Sequence, residues 1–208
     1  MRNICLLSSE NAAFFKSVAS YFYVNNDVNL TCIFDDEEIL KDEYFSNFKN
    51  INLVFLPKEE VEGYLKSNEF DLCAIYDYKA PINCYLSENF KILTLFKSLL
   101  PAFNDSKNPV IDAFNYGVRV SGITILSHSY SHMPKIILQY PFVISEMMHF
   151  DEFEQGINNL ANLIYPVVID KFSSNEVFAI QDLFDKKTKN NSCSGSCSNC
   201  GNCKHQSL

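Results

Sequence analysis

Two hydrophobic rhythms alternate along the first 170 or so residues. Short, mainly apolar runs at 2–7, 28–34, 51–56, 72–76 and 91–96 each have the length of one buried strand. Between them apolar positions recur three and four apart. Residues 12–23 bring Phe14, Phe15, Val18, Ala19 and Phe22 toward one helical face, after the capping side chains of Ser8-Ser9-Glu10-Asn11. Residues 39–48 and 59–67 read as further helices, the second weakened by Gly63. A short helix over 109–116 ends at Gly117. Residues 118–126 and 135–142 read as strands, the latter interrupted by Pro141, with a loop over 127–133 that carries His128 and His132. A long helix over 151–171 is expected to break or kink near Pro166. Ser174 or Asn175 would cap a last helix reaching about residue 184.

This order predicts an α/β fold: three layers, with a mainly parallel twisted sheet and helices on both faces. Ligand sites in such sheets lie outside the carboxyl ends of the strands. Thr94, Phe96 and the loop from Ser127 are expected to converge there.

Composition narrows the function classes. The net charge is −8, and the four lysines after residue 185 leave a body at −12. A surface of that sign repels nucleic acid and anionic lipid, so neither is an expected partner. A small molecule or an unidentified protein remains. No run approaches the ~18 apolar residues that span a bilayer. The apolar stretch 4–7 is too short for a signal peptide. The chain is therefore expected to be cytoplasmic, where Cys5, Cys32, Cys73 and Cys84 stay as free thiols.

The remaining four cysteines are different. From residue 186 the chain turns to Lys, Asn, Ser, Gly and Cys, with no core-forming pattern. Cys193, Cys197, Cys200 and Cys203 fall within eleven residues, spaced by Gly195 and Gly201. Four thiolates on short, flexible spacers can wrap one zinc ion or one 4Fe–4S cluster, and the spacing favours the cluster. The expected organisation is a domain over 1–172, a C-terminal helix over 173–185 and a flexible Cys-rich tail over 186–208.

Four segments carry a family likeness: FKILTLFKSLLPAF at 90–103, GVRVSG at 117–122, IILQ at 136–139 and LIYPVVI at 163–169. In this order and spacing they resemble the formyltransferase family, which moves a formyl group from 10-formyltetrahydrofolate to an amine. In size and layout the chain is most similar to the glycinamide ribonucleotide formyltransferases. The likeness implies a Rossmann-like formyltransferase fold over residues 1–172. The family's strand before SLLPAF ends Asn-Ile-His-Pro, with Asn and His catalytic. Here residues 94–97 are Thr-Leu-Phe-Lys, so Thr94 and Phe96 hold those positions. The family's catalytic Asp lies seven residues before the Gln, and His132 holds that place. The family's Gly-rich phosphate turn is matched by Ser8–Asn11, which has no Gly and adds Glu10. Its folate loop is matched by Asp77-Tyr78-Lys79-Ala80-Pro81-Ile82, without the usual Gly and Met.

These replacements bear on chemistry. Amine attack on a formyl carbon builds charge on its oxygen, and losing one donor there costs roughly 10²–10³ in rate. A base must also take the amine proton. Phe96 does neither. The expectation is a formyltransferase-like chain that has lost transfer and serves as a binding or regulatory module. The alternative is an active transferase for a small amine, with a site rearranged around His132, His128 or Lys97.

Overall fold

In the computed structural model, residues 1–179 are described except for 10, 24–26, 81–82, 130–131 and 177. Five parallel strands form one side of the sheet: β1 (Arg2–Leu7), β2 (Val28–Phe34), β3 (Ile51–Phe55), β4 (Leu72–Ile75) and β5 (Lys91–Phe96). A long hairpin, β6 (Val120–Ser129) and β7 (His132–Val143), adds antiparallel to β5. The order across the sheet is β3-β2-β1-β4-β5-β6-β7. The α-helices of the described residues are α1 (Ala12–Tyr21), α2 (Lys58–Ser67), α3 (Pro109–Tyr116) and α4 (Phe150–Ser173). The expected three-layer, mainly parallel sheet is therefore the observed one.

Both faces are covered, which is why the parallel strands are mainly apolar rather than strictly alternating. On one face Val61 and Leu65 of α2 close over Cys5, Leu7, Ile33, Cys73, Ile75 and Ile92. On the other face Phe14 of α1 stacks on Tyr165 of α4, their ring centroids 5.6 Å apart, with Tyr76 edge-on to both. The Tyr165 hydroxyl reaches Leu93 O at 2.9 Å and Ile75 O at 3.2 Å, fixing α4 to the seam between β4 and β5. Residues 1–178 make one compact unit.

Three expectations need correction. Residues 39–48 do not form one helix but two 3-10 turns, Glu37–Lys41 and Glu43–Asn47. Asp36 Oδ1 accepts from Glu38 N at 3.0 Å and Asp42 Oδ1 from Tyr44 N at 3.1 Å, so Asp42 restarts the chain in mid-run. Helix α4 runs through Pro166 without a break. Its neighbours Ile164, Tyr165, Val168 and Ile169 are buried, which offsets the lost backbone bond. The loop expected over 127–133 is the closing end of the hairpin, with Ser127 and His128 inside β6 and His132 opening β7. Ser174 and Asn175 form the turn after α4, and most of the helix expected beyond it lies outside the described residues.

The family-like motifs have structural work. Gly122 lies where a Cβ would overlap the Tyr140 carbonyl oxygen and come 2.9 Å from Leu99 Cδ2. Only glycine lets the SLLPAF segment and β7 approach β6 from both sides. Thr124 Oγ1 donates to Ser98 O at 2.7 Å and accepts from Leu100 N at 3.1 Å. Gln139 Nε2 donates to Leu100 O at 2.7 Å. The segment after β5 is thus tied to both strands of the hairpin.

Candidate functional site

Two adjoining cavities open at the carboxyl ends of β4 and β5. The larger, 610 Å³, is polar and includes Asn11, Lys79, Lys97, Lys107, Asn158 and Asn162 in its lining. The smaller, 440 Å³, has apolar walls from Ile75, Leu95, Phe96, Val110 and Ile111, with Thr94 and Asn108 among its polar groups. Asp77, Tyr78, Lys97 and Lys107 border both. An acidic chain thus gathers three lysines, far apart in sequence, around one cavity.

The turn after β1 is well tied without glycine. Asn11 Oδ1 caps α1 by accepting from Phe14 N at 3.0 Å. Ser9 is fully buried, and its hydroxyl accepts from Lys79 N at 3.1 Å. Glu10 lies outside the described residues. Beyond β4, Asp77 adopts a left-handed φ of 52°. Its Oδ2 receives Lys97 Nζ at 2.7 Å and Asn11 Nδ2 at 3.1 Å, joining three segments at the rim.

Thr94 faces the apolar cavity, and behind it stands an imidazole. His128 Nε2 lies 2.7 Å from Thr94 Oγ1. His128 is half-buried, and burial pushes its pKa below 6.5, so the ring is neutral near pH 7. It is not among the residues lining either cavity. His128 pairs in register with Ile92, so the hairpin closes beside the amino end of β5 rather than the carboxyl end. That corrects the expected convergence of Thr94, Phe96 and the 127–133 segment: Thr94 and Phe96 line the cleft, and His128 reaches Thr94 from behind. His132 opens β7 opposite Ser129, which places its backbone at that same far end.

Two buried polar atoms along the cleft, Tyr78 Oη and Asn162 Oδ1, have no hydrogen-bond partner among the described residues. Burial first, then nearby carboxylates, push the Tyr78 phenol up to about 12, so it stays a neutral donor. Tyr78 stands beside the apolar walls and Asn162 in the polar cavity, and such a donor and acceptor suit a ligand with mixed hydrogen-bonding edges.

Among the described residues no cluster of His, Cys, Asp and Glu is arranged to hold a metal. Cys193, Cys197, Cys200 and Cys203 lie outside the described residues. Cys5, Cys32 and Cys73 are buried free thiols, as expected. No helix of the described residues is long and apolar enough to cross a membrane.

No family model and no curated protein sequence matches this chain. Solved structures do. Phosphoribosylglycinamide formyltransferase from Anaplasma phagocytophilum superposes with a TM-score of 0.69 at 18% identity, covering 83% of this chain and 87% of that one. Glycinamide ribonucleotide transformylase 1 from Symbiobacterium toebii gives 0.70 at 19%, covering 84% and 89%. The chain has the formyltransferase fold. A 4-N formyltransferase from Francisella tularensis shares it at a TM-score of 0.66 and 16% identity, covering 86% of this chain and 72% of that one. At these identities the formyltransferase fold is what is common. The signals that sequence reasoning missed are tertiary: Asp77 with Lys97, and Thr94 with His128. Each residue stood in a plain view of the sequence, but 20 and 34 positions separate the partners.

Proposed function

We propose that this formyltransferase-fold chain binds a small ligand carrying a flat ring in the double cavity and does not transfer formyl groups by the family mechanism. The observation that carries this reading is Phe96, whose apolar side chain lines the cleft where the resemblance calls for an imidazole. Phe96 cannot donate to a developing oxyanion or accept the amine proton. Apolar walls, the Tyr78 hydroxyl and the rim lysines support binding of a ring with an anionic arm, the chemistry of a reduced folate. The residues that would hold it are Tyr78, Thr94, Asn108 and Lys107; only in an active chain would 10-formyltetrahydrofolate held there supply a one-carbon unit. Titration calorimetry with folate derivatives, beside a formyl-release assay, tests both halves. Binding without turnover is expected, and turnover at rates typical of enzymes (on the order of 1–10³ s⁻¹) overturns the reading.

One observation favours a second reading, an active transferase with a rearranged site. The Thr94–His128 hydrogen bond offers a neutral imidazole to a hydroxyl that faces the cavity. Turnover abolished by His128→Ala, with folate binding intact, selects this reading.

The tail belongs to the same proposal. Cys193, Cys197, Cys200 and Cys203 would ligate a 4Fe–4S cluster or zinc and give the module a redox- or metal-responsive element. The division at residues 172 and 185 and a cytoplasmic location, where these thiols stay reduced, go with it. Anaerobic purification followed by elemental analysis, with and without the tail, tests it; a colourless, metal-free full-length protein overturns it.

A further inference from the structure

Asp77 is the anomaly of the lysine-lined cavity. It is a non-glycine residue at a left-handed φ of 52°, a conformation that costs of order 1 kcal/mol. That backbone turn aims the carboxylate inward. Oδ2 takes Lys97 Nζ at 2.7 Å and Asn11 Nδ2 at 3.1 Å; Lys97 borders both cavities and Asn11 the polar one. Its side chain is 38% exposed, so the pair is open to exchange with a ligand. Lys107 borders the same space, and no ion pair of its own is found among the described residues. Without Asp77 the cavity would be lined by three lysines and no acid.

We propose that Asp77 is a built-in occupant of an anion position and sets the charge of the ligand this cavity admits. With the carboxylate seated, Lys97 and Asn11 are satisfied from within. A dianion entering the cavity would lose those donors and meet a like charge. The polar cavity therefore takes a ligand whose inner end is an amine or a neutral hydrogen-bonding group. Any anionic arm of that ligand is left to the Lys107 side of the shared wall. The proposal rests on the cleft being the ligand site, but its test uses neither folate nor turnover, so the two fail separately.

The probe is inorganic phosphate, titrated into the full-length protein at constant ionic strength and followed by calorimetry. Asp77→Asn removes the charge and keeps a residue that tolerates the left-handed backbone. Asp77→Gly removes the side chain and relaxes the backbone, so a folding defect in one variant does not decide the outcome. Both variants are expected to bind phosphate at least about tenfold more tightly than the wild type. Adding Lys97→Met to Asp77→Asn is expected to remove most of that gain. Phosphate binding no tighter than wild type in both variants overturns the proposal and leaves Asp77–Lys97 a structural ion pair. A gain that survives Lys97→Met also overturns it, because the anion would then sit elsewhere.

Discussion

The Thr94 hydroxyl and the His128 ring nitrogen Nε2 meet at 2.7 Å across the β5–β6 ladder, although their residues are not register partners. They project on the same face as diagonal neighbours, where a long side chain can span the gap. This contact ties Thr94, one of the polar residues lining the apolar half of the cleft, to the hairpin.

His128 should make stability depend on pH. Burial lowers its pKa from 6.5, so the unfolded chain binds the proton more readily than the folded one. The stabilisation is complete above the unfolded value and is lost as pH falls through the lower folded value. The melting-temperature gap between wild type and His128→Asn is expected to narrow from about pH 7.5 to about pH 5. A constant gap across that range counts against a depressed pKa.

Removing the other partner tests the bond itself. Thr94→Val keeps the shape and leaves the half-buried imidazole without its hydroxyl. A loss of about 1 kcal/mol is expected in denaturant unfolding. The double variant with His128→Asn should cost less than the two single losses added together.

Gly122→Ala should be far more severe. The new Cβ would run into the Tyr140 carbonyl, and Leu99 Cδ2 and Pro141 Cα lie within 3.0 Å. Backbone on one side and a tied segment on the other leave little room to yield. More than about 2 kcal/mol of destabilisation, or loss of folded protein, is expected by thermal melting.

Tyr165→Phe probes the anchor of α4. The buried hydroxyl serves two sheet carbonyls, at Ile75 and Leu93. Its removal is expected to cost about 1–2 kcal/mol with the m-value unchanged. A fall in m instead would mean that α4 had loosened from the sheet.

Much of the architecture was legible because burial writes itself into composition. β1, β2, β4 and β5 are covered on both faces, so 4–7, 32–34, 72–75 and 92–93 are apolar and buried, while Arg2, Asn3, Asn29, Thr31, Lys91 and Thr94 are only partly buried. Helix α1 announced itself through Asn11 and the spacing of Phe14, Phe15, Val18 and Ala19. Residues 39–48 misled because local apolar spacing cannot register a competing side chain such as Asp42. The 127–133 segment misled because Ser127, His128 and Ser129 are polar, and only the neighbouring strand makes them extended.

The layered α/β sheet, the apolar core and Phe96 where the resemblance expects an imidazole can all be read along the linear chain. These depend on periodicity and residue type, which a linear chain displays. Folding alone brings His128 behind Thr94, sets Asp77 against Lys97 and Asn11, and gathers Lys79, Lys97 and Lys107 around one cavity. Those relations follow from strand register and the meeting of loops at one sheet edge, where residues distant along the chain become neighbours and electrostatics acts over a few ångströms.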